Sequence, residues 1–207
     1  MVHSQDTHAK KHWQGNYWGA NGAVKEGLFK FLSTLYSSLK SAPSRRHKLA
    51  AFLGVLALYM TLRTCYKLAD HTANELDVLA SVSRRLGQRT FAIECGETAI
   101  EAEGVMSPSY PLLLAGLMRD HEALFPLKKG GQESGRYFNQ LRSVFQIFEF
   151  DPPEQKIRIF RALAWFTAMN GSKKETSDFV KEALTLANSL GAEDQIRAIV
   201  EEFHDYI

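Results

Sequence analysis

"RRHKLAAFLGVLALYMTLR", residues 45–63, decides the fold of this chain, because it is either a membrane span or the central helix of a soluble core. Residues 49–62 carry no charged side chain, and their only polar side chain is Thr61. These fourteen residues would rise by about 21 Å as a helix, which is less than the roughly 30 Å hydrocarbon core of a bilayer. Length alone therefore favours a buried or interfacial helix.

The composition and the flanks of this apolar run favour a span instead. Apolar side chains cover every face of the run, whereas a helix that packs on a soluble core normally keeps one polar face. Cations stand on both sides of it, and long cationic side chains can reach lipid headgroups from within the hydrocarbon. We therefore predict a transmembrane helix over residues 45–69, with a buried or re-entrant helix as the alternative. The predicted membrane-interface residues are Arg45, Arg46, Lys48, Arg63 and Lys67.

The net charge of +2 conceals a division at the start of the apolar run. Residues 1–48 contain eight Lys and Arg against two acids, a balance of +6, and residues 49–207 contain seventeen against twenty-one, a balance of −4. A basic arm before an acidic body suits a membrane surface, whereas a nucleic-acid-binding protein carries positive charge on its folded body. The larger number of cations before the run favours an N-terminus on the matrix or cytoplasmic side.

The first twenty-four residues are predicted to form an extended basic and aromatic arm that a partner holds in place. The segment has too little apolar surface to order itself in water. Trp13, Tyr17 and Trp18 stand among glycines and cannot form a core of their own. We predict that these three aromatic residues dock, either at the membrane interface or in pockets on a partner protein.

Residues 25–43 are predicted to form an amphipathic helix before the span. Their apolar side chains recur at helical spacing, and lysines supply cationic heads at the edges of the apolar face. Such a helix either lies in the bilayer interface and turns at Pro43 into the span, or packs against protein. The two alternatives are equally compatible with the pattern. The apolar positions are Leu28, Leu32, Leu35, Tyr36 and Leu39.

Residues 70–207 are predicted to form an α-helical hairpin domain, so the whole chain belongs to the all-α class. Asp70 or Thr72 can cap the first helix, and "DPPE" and "SKKE" read as capping boxes that open two later helices, at Asp151 and Ser172. Glycines end several of the predicted helices. Short links between helices of about fifteen residues indicate antiparallel neighbours.

Two segments resemble the second helices of tetratricopeptide-type hairpins. They are "FAIECGETAIEAEG", residues 91–104, and "FVKEALTLANSLGAED", residues 179–194. In such hairpins small residues fall where helices touch, a position that Ala99, Ala183 and Ala187 would take. The chain has no 34-residue self-match and lacks the Trp/Leu-Gly/Tyr signature of a first helix. The resemblance implies a tetratricopeptide-like array that binds proteins rather than one that catalyses a reaction.

No segment of the sequence carries a catalytic or cofactor signature. His8 and His12 share a helical spacing with His3 upstream, but further ligands for a metal are absent nearby, so we expect no metal site. "GGQESGRY", from residue 130, lacks the lysine, the hydroxyl residue and the preceding strand of a phosphate loop. We read it as a flexible link between helices.

Two further sets of reactive side chains have plain structural interpretations. Asp120, His121 and Glu122 are adjacent in sequence and therefore diverge around a helix, which favours a solvated helix face. Cys65 and Cys95 lie thirty residues apart and form no CxxC pair, so we predict two thiols rather than a disulfide.

These features together predict a non-catalytic, single-span accessory subunit of a large membrane complex. The uncleaved basic arm and the absence of a secretory signal favour the mitochondrial inner membrane, where complexes of the respiratory chain and ATP synthase contain such subunits. The expected partners are other subunits and the bilayer, including anionic headgroups, with no cofactor and no nucleic acid. The alternatives are a membrane-anchored tetratricopeptide-like adaptor or import receptor that binds peptides or proteins, and a soluble helical enzyme.

Overall fold

The computed structural model describes the backbone of residues 6–41, 44–150 and 152–207, and the side chains of residues 22–39, 44–150 and 152–207. Within these ranges the chain forms nine α-helices and no strand, which confirms the predicted all-α class. The chain divides into two compact units, Met1–His71 and Thr72–Ile207.

The first unit is a hairpin of two long helices, α1 (Asp6–Ser41) and α2 (Arg45–Cys65). The two helices pack against each other, and the three residues that join them require an antiparallel arrangement. Ser44 caps α2, since its hydroxyl accepts a hydrogen bond from the backbone N–H of His47. The buried apolar residues of the hairpin are Phe29 and Leu32 in α1, and Ala51, Val55, Tyr59 and Leu62 in α2.

Gly54 lets the two helices approach closely. A Cβ atom at this position would lie 2.9 Å from Cδ1 of Leu35 in α1, closer than ordinary van der Waals contact. The apolar face of α1 therefore packs against α2 along part of its length. Of the two alternatives that the sequence left open for residues 25–43, this packing supports the second.

Replacing Gly54 with leucine is expected to loosen the hairpin by about 1–3 kcal/mol, because the added side chain must displace Leu35 or push the helices apart. Hydrogen exchange at the amides of residues 28–39 should become faster in this variant. Ala57→Leu, which adds a side chain at an exposed position of the same helix, is the matched control. Equal exchange in both variants would contradict the close contact at Gly54.

The structure differs from the sequence prediction at both ends of the hairpin. α1 begins at Asp6, so residues 6–24 are helical where an extended arm was expected. Residues 6–24 include alanine, lysine and glutamine, which are good helix formers, and contain no proline that would break a helix. α2 ends at Cys65 rather than Ala69, because the Asp70 carboxylate accepts a hydrogen bond from the backbone N–H of Lys67 and opens a short 3-10 turn, Leu68–Asp70.

The second unit consists of seven α-helices that pair in chain order. They are α3 (Ala73–Arg85), α4 (Arg89–Glu103), α5 (Tyr110–Leu124), α6 (Glu133–Val144), α7 (Glu154–Met169), α8 (Lys173–Ser189) and α9 (Glu193–Phe203). The most extensive contacts join α3 to α4, α5 to α6, and α7 to α8, as expected for consecutive hairpins. Helix α5 lies at the centre, since ten of its fifteen residues are buried and it contacts α4, α6 and α7.

Local sequence signals account for several of these boundaries. Thr72 caps α3 in a reciprocal capping box, in which its hydroxyl accepts from the Glu75 N–H and the Glu75 carboxylate accepts from the Thr72 N–H. The predicted capping box at the start of α8 is not formed: the Ser172 hydroxyl donates to the Glu175 carboxylate and accepts no hydrogen bond from a backbone N–H of the helix. The "DPPE" helix, α7, begins at Glu154, two residues later than predicted, and Asp151 lies outside the described residues. Three alanines predicted at helix contacts, Ala99, Ala183 and Ala187, are fully buried.

Candidate functional site

The predicted membrane-interface cations occupy the ends of α2 and the turn after it. Arg45, Arg46 and Lys48 lie in the first turn and Arg63 in the last, and all four are exposed. Lys67 follows the helix and is the N-cap of the 3-10 turn. The side chains of the predicted docking residues Trp13, Tyr17 and Trp18 lie outside the described residues, so that prediction remains untested.

Helix α2 carries a continuous apolar surface on the side that faces away from α1. Its members recur at positions i, i+3, i+4, i+7 and i+11, which places them on one helix face. The side chain of Leu49 is 60% exposed, that of Leu53 55% and that of Met60 46%. We call this surface the α2 stripe; it consists of Leu49, Phe52, Leu53, Leu56 and Met60.

The length and the exposure of α2 together distinguish it from a soluble core helix. With 21 residues it rises about 31 Å, close to the thickness of a bilayer core. It is long and apolar enough to cross a membrane, yet only 17% of its most apolar window is buried. A central helix of a soluble domain would be mostly enclosed by its own chain.

The second unit contains a cleft that the sequence did not predict. Its volume is about 400 Å³, and its walls come from α3, α4, α5 and α7. Five of the twelve lining residues are arginines, against two aspartates, Asp77 and Asp120. Four apolar residues complete most of the remaining wall: Leu112, Ala115, Ala162 and Trp165. We call this feature the arginine cleft and define it by Arg84, Arg89, Arg119, Arg158 and Arg161.

A fully buried carboxylate organises one side of the arginine cleft. Nε of Arg84 donates to Oδ2 of Asp120 at 2.6 Å, and Nη1 of Arg89 lies 3.5 Å from Oδ1. Burial raises the pKa of the Asp120 carboxyl, and the two guanidinium groups oppose that rise. Gly116 leaves room for this arrangement, since a Cβ atom there would lie 2.7 Å from Nη2 of Arg84.

Glu202 organises the other side of the arginine cleft from outside the lining itself. Its Oε2 accepts from Nη2 of Arg161 at 2.6 Å, and its Oε1 lies 3.2 Å from Nη2 of Arg119. The Arg119 guanidinium also stacks over the ring of Trp165, 5.1 Å from the centroid. Burial lowers the pKa of Arg119, Glu202 opposes this, and the neighbouring guanidiniums of Arg161 and Arg84 lower the pKa further.

Two arginines of the cleft keep hydrogen-bond donors available. Arg158 is exposed, and within the described ranges it takes part in no hydrogen bond or ion pair. The Arg89 side chain is 40% exposed and makes only the long contact to Asp120. Guanidinium donors in this state suit carboxylate or phosphate oxygens of a ligand. The cleft is therefore a candidate site for an anionic ligand.

The Asp120–His121–Glu122 triple is buried, so its interpretation as a solvated helix face is wrong. The predicted divergence is nevertheless present. Asp120 meets the arginines, His121 lies 3.6 Å from the Glu97 carboxylate, and Glu122 accepts from the backbone N–H of Leu127 and from the hydroxyl of Ser134. Each side chain points to a different neighbour, so the three ionisable groups do not share one site; Asp120 and Glu122 accept hydrogen bonds there, whereas His121 Nε2 makes none among the described residues.

The remaining candidate sites offer no clustered chemistry. Between α5 and α6 the "GGQESG" segment follows a helix rather than a strand, and α6 begins inside it at Glu133. Cys65 is exposed, Cys95 is buried, and neither forms a disulfide. No group of metal-ligating side chains occurs within the described part of the chain. The side chains of His3, His8 and His12 lie outside it.

Comparison with known proteins adds no identification. No protein-family model matches the chain, and the search of curated proteins finds no match. Two features of the molecule bear on its function: the α2 stripe and the arginine cleft.

Proposed function

We propose that this chain is a non-catalytic scaffold subunit that α2 anchors in a membrane, with the second unit available to bind partner proteins. The observation that carries the proposal is the α2 stripe. Four exposed apolar side chains and the half-buried Leu56 share one helix face, and a contiguous apolar surface of this kind marks a membrane or protein contact. Cations at both ends of α2 favour lipid as the cover.

The membrane that we propose is the mitochondrial inner membrane, with the start of α2 on the matrix side. The predicted matrix position of the N-terminus does not fit the hairpin, because Lys25 Nζ donates to the Asp70 carbonyl beyond the other end of α2. Support comes from the basic, acid-poor first forty-eight residues and from the excess of cations before α2 over those after it. The proposed partners are other subunits of a respiratory-chain or ATP synthase complex and anionic headgroups near Arg45, Arg46 and Lys48.

Alkaline carbonate extraction of cells that express the full chain tests the anchor. The expected result is retention of the chain in the membrane pellet, because α2 matches the bilayer thickness and exposes its apolar side chains. A soluble matrix protein in the same cells is the control for complete lysis and release. Recovery of the chain in the supernatant would falsify the proposed membrane anchor.

A second candidate function is a membrane-anchored, tetratricopeptide-like adaptor that captures peptides. The arginine cleft favours it, since its walls include the first helix of each of three successive hairpins, α3, α5 and α7. Repeat proteins of this kind commonly use such a surface for binding.

Native electrophoresis in mild detergent separates the two candidates. A scaffold subunit is expected to migrate with one large complex in constant proportion, whereas an adaptor leaves a free pool of low mass. Migration of the chain only in the free pool would exclude the subunit role and retain the adaptor.

A further inference from the structure

We propose that the arginine cleft binds an acidic segment of a partner protein, through carboxylate side chains that bridge Arg89 and Arg158. This inference deepens the proposed function, since it names the chemistry of the partner that the second unit would receive. It depends on the second unit alone and requires no membrane.

The charge of the cleft is the first argument. Residues 72–207 contain fifteen Lys and Arg against twenty acids, a balance of −5, yet five of the fifteen cations line one cleft. Like charges that crowd together repel one another unless anions lie between them. Asp120 and Glu202 each neutralise part of this charge, and Asp77 adds one more carboxylate. Five guanidiniums against three carboxylates leave a positive excess that a ligand can balance.

The internal ion pairs are the second argument, because they show which group the arginines accept. Asp120 lies between two guanidiniums, and so does Glu202. In each case one carboxylate pairs with two guanidinium groups that belong to different helices. Arg158 has no internal carboxylate partner within the described residues, and Arg89 uses only one donor, in its long contact to Asp120. A carboxylate from another chain would supply the missing group.

The shape and lining of the cleft favour a peptide over a single small anion. The two arginines with available donors belong to different helices, α4 and α7, so a ligand that meets both needs separate anionic groups. A volume of about 400 Å³ lies within the range of ligand sites, roughly 300–1,000 Å³, and exceeds what one carboxylate or phosphate fills. Leu112, Ala115 and Trp165 offer apolar surface between the cations for aliphatic parts of a peptide.

A binding titration with a labelled hexaglutamate peptide tests the proposal on the full chain in mild nonionic detergent. Fluorescence anisotropy is expected to report saturable binding that weakens as salt is raised. Arg158→Gln and Arg89→Gln should each weaken binding by about tenfold, and the double variant by about a hundredfold, because each removes charge-assisted hydrogen bonds. Both side chains are at least partly exposed, so the variants should keep the far-UV circular dichroism of the parent.

Arg197→Gln is the matched control, since Arg197 is an exposed arginine of α9 outside the cleft. It should bind the peptide as the parent does. Equal affinity of the double variant and the parent would overturn the proposal, because the peptide would then bind elsewhere, for example on the basic N-terminal segment. Displacement of the peptide by inorganic phosphate at concentrations where acetate has no effect would also overturn it, in favour of a phosphate site.

Failure of this proposal and failure of the membrane anchor give different results. A chain that carbonate releases but that binds hexaglutamate through Arg89 and Arg158 contradicts only the anchor. A chain that stays in the pellet but binds no peptide contradicts only the acidic-segment proposal.

Discussion

Introducing arginine at both Leu53 and Met60 is expected to move the chain from the membrane pellet to the supernatant in carbonate extraction. Both residues belong to the α2 stripe; Leu53 lies near the middle of α2 and Met60 lies five residues before its end. An arginine near the centre of a transmembrane helix costs about 2.5–3.5 kcal/mol on the insertion scale and less towards the ends, so the two cost at most about 5–7 kcal/mol. That penalty corresponds to a loss of up to roughly 10⁴-fold in the membrane-inserted fraction.

The position of the two substitutions separates lipid contact from loss of the hairpin fold. Leu53 and Met60 are exposed, whereas the residues of α2 that face α1 are Val55, Tyr59 and Leu62. The hairpin should therefore persist in the variant, and helix content by circular dichroism should be unchanged. A double variant that pellets as the parent does would show that the stripe is covered by protein or left in water rather than by lipid.

A matched control carries two arginines on exposed apolar positions of the second unit. Val200→Arg combined with Ile207→Arg adds the same charge at side chains that are 44% and 62% exposed. This variant should remain in the pellet, because neither residue belongs to the α2 stripe. Its release would mean that added positive charge alone, and not its place on α2, decides the extraction.

The elements that the sequence predicted well are those that depend on local signals. The apolar run of α2, the helix cap at Thr72 and the short links between hairpins all act over a few residues, and each is found in the structure. The end of α2 was predicted too late, because the composition of residues 66–69 tolerates a helix. A hydrogen bond from the Lys67 backbone to Asp70 ends it instead.

The parts that the sequence could not predict depend on contacts between distant residues. Helical spacing indicates that one face of α1 is apolar, but a helix that lies on lipid and a helix that packs on protein have the same apolar pattern. The close approach of Leu35 to Gly54 of α2 shows that this face packs on protein. The arginine cleft joins Arg84 to a carboxylate thirty-six residues away, and Arg119 to one eighty-three residues away. Four of the five cleft arginines lie on the first helices of successive hairpins, but the sequence alone does not show that these helices face one cleft.

Glu122 is a buried carboxylate that holds two segments of the second unit together. Its side chain is 2% exposed, and Oε2 accepts from the Leu127 backbone N–H at 3.0 Å and from Oγ of Ser134 at 2.7 Å. The carboxylate thereby holds the link from α5 to the start of α6. A charged-residue pattern in a helix cannot reveal these donors, because they belong to the following link and the next helix.

Replacing Glu122 with alanine is expected to lower the free energy of unfolding of the second unit by about 3 kcal/mol. The substitution leaves the buried Ser134 hydroxyl and the part-buried Leu127 N–H without this acceptor, at about 1–3 kcal/mol for each donor. Hydrogen exchange measured by mass spectrometry on peptides from α5 and α6 should accelerate by about a hundredfold. Glu122→Gln keeps one oxygen acceptor in place and should cost about 1 kcal/mol.

Glu133→Ala is the matched control for this loss. Glu133 is a half-exposed carboxylate in the first turn of α6 that pairs with Arg136 at 2.5 Å. Surface pairs three residues apart on a helix contribute about 0.3–0.5 kcal/mol, so exchange in α5 and α6 should change little. If Glu122→Ala and Glu133→Ala accelerated exchange equally, buried hydrogen bonding by Glu122 would not be what holds α5 to α6. If Glu122→Gln lowered the free energy of unfolding as much as Glu122→Ala, the effect would come from the lost negative charge and not from donors left without an acceptor.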